Sequence, residues 1–160
     1  MEFLAYAKEI ELQSMKFYTE LAHQITDKEL SGIFIFLSDQ EKQHYEIFNS
    51  WQKKLLTQEL LTSTNILKQA NSTFKKLSKH YNTIEIPVNN RDEVYLKALE
   101  VENKSINLLT LAIETSKESK INIEIENQNS LLKQIIVQEK YHAELIVSLM
   151  EFQRHPYELA

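Results

Sequence analysis

Gln40-Glu41-Lys42-Gln43-His44-Tyr45-Glu46 and, 98 residues further on, Gln138-Glu139-Lys140-Tyr141-His142-Ala143-Glu144 are two versions of one heptapeptide. Each holds a Glu-x-x-His, and on a helix that spacing stacks the carboxylate and the imidazole on one face, a turn apart. Whether that face looks into a core or out to solvent decides what the pair is for, so the flanking apolar pattern has to be read first.

The flanks are helical. Upstream and downstream of Glu41, Leu30, Phe34, Leu37, Phe48, Trp51 and Leu55 recur at three-four spacing, which predicts a helix over about 28–56 with Asp27 as its cap. Around Glu139, Ile125, Leu132, Ile135, Ile146, Leu149 and Phe152 predict a helix over about 122–155, ended by Pro156. Leu4, Ala7, Ser14, Tyr18, Leu21 and Ile25 give a further helix over about 1–26. Tyr95, Ala98, Leu109, Ala112 and Ile113 give one over about 92–116, with Asp92 as its cap and the polar stretch 116–120 breaking the pattern after it. Between about Thr57 and Asn90 the periodicity fades into Ser, Thr, Asn and Lys clusters, with a short helix over about Ser72–Ser78 and a stop at Pro87. Short connections make the first two helices and the last two antiparallel hairpins, and the intervening segment is a crossover between them. The expected fold is an all-α antiparallel four-helix bundle with one long crossover, a single domain over 1–160.

Each apolar stripe has a gap filled by a residue that dislikes an apolar interior. Glu11 lies between Ala7 and Ser14, Glu41 and His44 between Leu37 and Phe48, Glu102 between Ala98 and Leu109, and Glu139 and His142 between Ile135 and Ile146. An unpartnered buried carboxylate costs several kcal/mol even after relaxation, so four of them would offset much of a domain's ~5–15 kcal/mol stability. Two divalent cations would balance four carboxylates, and two neutral imidazoles would each add a nitrogen ligand. Depth agrees. Glu11 stands 16 residues before Asp27, and Glu41 and His44 stand 14 and 17 after it; Glu102 stands 18 before Lys120, and Glu139 and His142 stand 19 and 22 after it. At about 1.5 Å per residue each hairpin brings its polar residues level within roughly one turn. The hairpins also match each other: Ala7-Lys8-Glu9-Ile10-Glu11-Leu12-Gln13-Ser14 parallels Ala98-Leu99-Glu100-Val101-Glu102-Asn103-Lys104-Ser105, 91 residues apart. Two such halves make a pseudo-twofold site with Glu11, Glu41, His44, Glu102, Glu139 and His142 as metal ligands.

Composition limits the alternatives. The 160-residue chain has one Gly and two Pro, too few turn residues for a sheet-rich domain. It has no Cys, which excludes disulfides, thiolate catalysis, iron–sulfur clusters and Cys-bound zinc. A net charge of −5 with scattered Lys and Arg offers no basic stripe, so no nucleic-acid partner is expected. No apolar run reaches the roughly 20 residues that span a bilayer, and no secretion signal opens the chain, so neither a membrane nor export is expected and the protein is read as cytoplasmic.

The pattern of one Glu from each of two helices and Glu-x-x-His from each of the other two resembles the ferritin-like di-iron carboxylate family. Within it, the spacing from Glu11 to Glu41-x-x-His44 and the long crossover most resemble rubrerythrin. The resemblance implies two iron ions, with manganese or a mixed pair suited to the same carboxylate and imidazole donors. It implies a redox cycle in which the reduced centre reduces hydrogen peroxide or dioxygen. Tyr18, seven residues after Glu11, matches a rubrerythrin tyrosine that hydrogen-bonds a ligand carboxylate; its counterpart in the second half is Leu109. Two departures stand out. Ser105 occupies the place where rubrerythrins often carry a further Glu, and the rubredoxin domain, whose iron needs four Cys, is missing, so an external electron-donor protein is implied. A homodimer is the expected assembly by analogy with related bundles.

Other polar residues read as ordinary surface. Glu20-Leu21-Ala22-His23 repeats the Glu-x-x-His spacing but falls off its helix stripe, as do Glu9 and Glu100. His80 and His155 read as exposed, and Trp51, Phe34 and Phe36 as core or dimer-interface residues. Besides peroxide reduction, the same ligand set serves ferroxidation and iron handling, and a bundle that binds metal without turnover would be a helical interaction protein. These three readings stay open on sequence.

Overall fold

Long helices form here because nothing in the chain interrupts them, and the computed structural model describes four, over residues 2–58, 91–117 and 123–154. They are α1 (Glu2–Gln24), α2 (Lys28–Gln58), α3 (Arg91–Lys117) and α4 (Ile123–Arg154), and no strand occurs among the described residues. The turn between α1 and α2 is made as the sequence predicts. Asp27 Oδ1 accepts from the backbone N–H groups of Glu29 (3.0 Å) and Leu30 (3.1 Å), satisfying two donors that the first turn of α2 leaves over. Ser31 Oγ closes the turn from the other side, donating to the Ala22 carbonyl at 2.8 Å. Asp92 behaves differently from expectation. α3 already begins at Arg91, so Asp92 and Glu93 lie inside its first turn, where their charge favours the positive end of the helix dipole. α3 also runs through Ser116 to Lys117, past the start of the polar stretch. The short helix read over Ser72–Ser78, and Pro87, lie outside the described residues.

α1 packs along α2, α3 along α4, and the two hairpins meet along α1 and α3. The buried side chains sort into two apolar clusters. One joins Phe3, Leu4, Ala7 and Ile10 of α1 to Phe48 of α2, to Leu108, Leu109, Ala112 and Ile113 of α3 and to Leu132, Ile135 and Ile136 of α4. The other joins Phe17, Tyr18, Leu21 and Ala22 to Phe34 and Leu37, to Tyr95, Ala98 and Val101, and to Ile146 and Met150. Aromatic contacts fill both: Phe3 lies edge-on to Phe48 and Trp51 at 6.5 and 6.4 Å, and Tyr18 stacks on Phe34 at 6.0 Å. Every helix enters at one cluster and leaves at the other, so α2 ends beside the first and α3 begins beside the second. The segment joining them, over which the crossover is read, lies outside the described residues.

One core expectation is corrected. Phe152 is 54% exposed, because it belongs to neither apolar cluster and the contribution of α4 to the second one stops at Met150. Met150 takes the inward position instead, with Leu149 half-buried beside it. Phe34 is fully buried, whereas Phe36 is 43% exposed and leans edge-on to the His142 ring. No helix among the described residues is long and apolar enough to cross a membrane.

Candidate metal centre

Between the two apolar clusters lies a single polar layer. Glu11, Glu41, His44, Glu102, Glu139 and His142 all point into it, each no more than 1% exposed. The three-four spacing that interrupts each stripe carries them there: the layer sits where Glu11 follows Ile10 on α1 and where Glu139 follows Ile136 on α4.

The layer divides into two overlapping groups. In the first, His44 Nδ1 faces Glu139 Oε1 at 3.2 Å, Glu11 Oε2 at 3.7 Å and Glu41 Oε2 at 3.8 Å. In the second, His142 Nδ1 faces Glu41 Oε1 at 3.2 Å, Glu139 Oε2 at 3.4 Å and Glu102 Oε2 at 3.5 Å. Metal bonds of about 2.0–2.2 Å put the ligand atoms around one ion roughly 3.0–3.5 Å apart, so each group has close to the spacing of a coordination sphere. Glu41 and Glu139 belong to both groups and give one oxygen to each, whereas Glu11 and Glu102 belong to one group apiece. The imidazole rings lie nearly parallel with centroids 5.9 Å apart.

Five of the converging atoms, Glu11 Oε2, Glu41 Oε1, His44 Nδ1, Glu139 Oε2 and His142 Nδ1, are buried and make no hydrogen bond. Such atoms normally find partners, and a cluster of bare nitrogen and oxygen acceptors at coordination spacing fits a pair of cations. Several atoms turned away from these gaps do have polar partners. Gln138 Oε1 stands 2.8 Å from His44 Nε2, on the other side of the ring from Nδ1, so an Nε2–H donated there would leave the Nδ1 lone pair for a cation. The Tyr18 hydroxyl donates to Glu102 Oε1, and Ser105 Oγ lies 2.7 Å from Glu139 Oε1 and 3.1 Å from Glu11 Oε1.

Protons occupy the layer when cations do not. Burial, reinforced by the charge of Glu139, pushes the Glu11 carboxyl well above the usual range, and burial with the charge of Glu41 does the same to Glu102. Burial alone would lower both imidazoles, but the carboxylates around them prevail: His142 is pushed up to about 11, and His44 is raised as well. Burial would raise Glu139 too, yet the two imidazoles outweigh it and hold that carboxylate below its ordinary range. Burial and the Glu102 charge raise the Tyr18 phenol, which stays a proton donor. Cations entering this layer would displace protons.

The family model for rubrerythrin matches residues 2–150. This chain belongs to the rubrerythrin family. The match covers the first three helices and α4 as far as Met150, and the buried layer of carboxylates and imidazoles is compatible with the two-metal site of a rubrerythrin. No match was found among curated proteins or among solved structures.

The remaining candidates fall away from the centre. Glu20 and His23 are exposed on α1, and Glu9 is exposed and accepts from Gln13 at 2.9 Å. Glu100 pairs with Lys97 and Lys104 on the outer face of α3 at 2.8 and 2.9 Å. His80 and His155 lie outside the described residues. Periodicity alone did not find two polar partners of the layer, Gln138 and Ser105. Both stand in the internal repeat, opposite Gln40 and Ser14, and that recurrence was the available signal.

Proposed function

We propose that this rubrerythrin-family chain is a di-iron redox protein that reduces hydrogen peroxide, or dioxygen, with electrons from a separate carrier protein. The observation that carries the reading is the sharing of Glu41 and Glu139 between two imidazole-centred groups, because shared carboxylates are how two metal ions are held close enough to act on one small molecule. Glu11, Glu41, His44 and Glu139 would hold one ion, and Glu102, Glu139, His142 and Glu41 the other. Bound iron would supply one electron per ion: hydrogen peroxide takes two electrons and two protons, its O–O bond breaks, and two waters leave.

The chain's own residues set the conditions for that exchange. With every ligand at 1% exposure or less, bulky oxidants are kept from the centre. Tyr18 keeps its proton and donates it to Glu102, holding that carboxylate with Oε2 toward His142. These 160 residues hold no Cys, so none of them binds a second iron through thiolates, and the proposal takes the two electrons returned per cycle from a separate one-electron carrier. A homodimer is part of the proposal, with the exposed Ile35 and Phe36 of α2 and Val137 and Tyr141 of α4 as apolar surface for it.

Anaerobic reconstitution with ferrous iron, followed by stopped-flow mixing with peroxide or with air-saturated buffer, tests the reading. Two irons per chain, oxidised faster by peroxide than by air and re-reduced by a one-electron donor, are expected. Faster reaction with air and accumulation of ferric mineral would turn the reading to iron handling. Bound iron that neither oxidant reaches would leave only an interaction protein.

A further inference from the structure

The two carboxylates that belong to one group each, Glu11 and Glu102, are treated alike in one respect. Each turns Oε2 toward an imidazole Nδ1 and gives Oε1 to a hydroxyl from the other hairpin. For Glu102 of α3 that hydroxyl is Tyr18 of α1; for Glu11 of α1 it is Ser105 of α3. Ser105 also reaches Glu139 Oε1, the oxygen that Glu139 turns toward His44, so its hydroxyl touches two of the three carboxylates around that imidazole and none from the His142 side alone. At 2% exposure it has no water to replace it. Its partner in the internal repeat behaves otherwise. Ser14, equally buried at 1%, donates to the Ile10 carbonyl of its own helix at 2.9 Å and takes no part in the layer.

We propose that Ser105 is a positioning residue for the metal position at His44: by gripping Glu11 Oε1 and Glu139 Oε1 it leaves Glu11 with a single oxygen facing that position, the service Tyr18 performs for Glu102 at the other. The hydroxyl has one proton, shared between Glu139 Oε1 at 2.7 Å and Glu11 Oε1 at 3.1 Å; without it both oxygens lose that shared donor, and both carboxylates are freer to rotate away from His44. A Ser at this place thus makes the two positions differ in how firmly their ligands are held, although their ligand sets are the same.

The inference rests on the two-metal reading, and Zn²⁺ titration of chains carrying ¹⁵N-labelled histidine separates the two. Long-range ¹H–¹⁵N spectra follow the Nδ1 atoms of His44 and His142 individually. In the native chain both should move as two equivalents are added. In Ser105→Ala, His44 should need roughly 10–100-fold more free Zn²⁺ while His142 saturates as before, the usual scale for loss of a partner behind a metal ligand. Ser105→Thr, which keeps the hydroxyl, should restore His44 to within a few-fold, and Ser14→Ala should titrate like the native chain. Failure of the native chain to bind Zn²⁺ would overturn the two-metal reading and this inference with it. Native binding at both imidazoles, with Ser105→Ala unchanged or weakened equally at both, would overturn this inference alone.

Discussion

Replacing Glu41 by Gln takes the charge from a carboxylate that both positions share and turns one of its two oxygens into an NH2 that cannot ligate, so the side chain can no longer serve both, because Oε2 faces His44 and Oε1 faces His142. Replacing Glu11 by Gln takes a carboxylate charge from the His44 group only and leaves the other group its full set. The two substitutions are alike in size and burial, so the difference between them isolates sharing. A metal that binds only the folded chain stabilises it by roughly 2.7 kcal/mol when free metal stands at 100 times its Kd. Two such ions give about 5 kcal/mol. For a chain of this length about 1 kcal/mol moves Tm by roughly 2–4 °C, so full loading should raise Tm by about 10–20 °C. Mn²⁺, which keeps oxidation out of the measurement, is the probe, and the quantity read is the difference between Mn²⁺-loaded and metal-free Tm for each variant, so that any change in the metal-free fold cancels. Glu11→Gln should keep about half of the native increment. Glu41→Gln should keep almost none. Equal increments in the two variants would refute the sharing of Glu41, and no increment in the native chain would refute the metal centre.

Tyr18→Phe strands Glu102 Oε1 without its donor, so the metal-free chain should lose about 1–3 kcal/mol by chemical denaturation; two irons should still bind, with the peroxide reaction slowed in stopped flow. His142 is raised to about 11, against burial, by its contacts with Glu102, Glu139 and Glu41, so the stability it contributes to the metal-free chain is fully present below its ordinary value near 6.5 and lost as pH rises toward 11. Urea titrations across that window should show the metal-free chain weakening with rising pH, and a flat or opposite trend would refute the protonated imidazole. Asp27→Ala removes the acceptor for Glu29 and Leu30 and should cost about 1 kcal/mol, lowering Tm by a few degrees while Mn²⁺ uptake stays native.

The fold was legible because its determinants are local. Asp27 announces the start of α2 through its side chain, the three-four stripes mark the buried faces, and four uninterrupted helices leave little choice of architecture. What escaped was where a stripe stops being covered. Phe152 continues the α4 stripe as faithfully as Ile146 does, yet Ile146 is fully buried in the second cluster and Phe152 is 54% exposed outside it, a difference that α4 alone does not encode. The inward direction of the six Glu and His residues was legible for a related reason. A charged residue on an apolar stripe can be recognised from its own helix alone, without knowing which helix it will meet.

Of the polar partners behind those six, Tyr18 was expected at a ligand carboxylate only through the rubrerythrin resemblance, and Ser105 and Gln138 were not legible, because each meets its ligands on other helices. Ser105 reaches Glu11 and Glu139, Tyr18 reaches Glu102, and Gln138 reaches His44, each from a different helix. The internal repeat even misleads at this level. It pairs Ser105 with Ser14 and Tyr18 with Leu109, but one serine faces the carboxylates while the other bonds its own helix, and one of the second pair is a hydroxyl donor while the other is apolar packing. The ligands therefore keep the twofold symmetry that two equal cations demand, and the residues behind them abandon it. A phenol stands behind Glu102 and an alcohol behind Glu11. Burial and the Glu102 charge keep the proton on Tyr18, so the phenol orients Glu102 as a fixed donor, and the asymmetry of the centre lies in which hydroxyl holds which carboxylate.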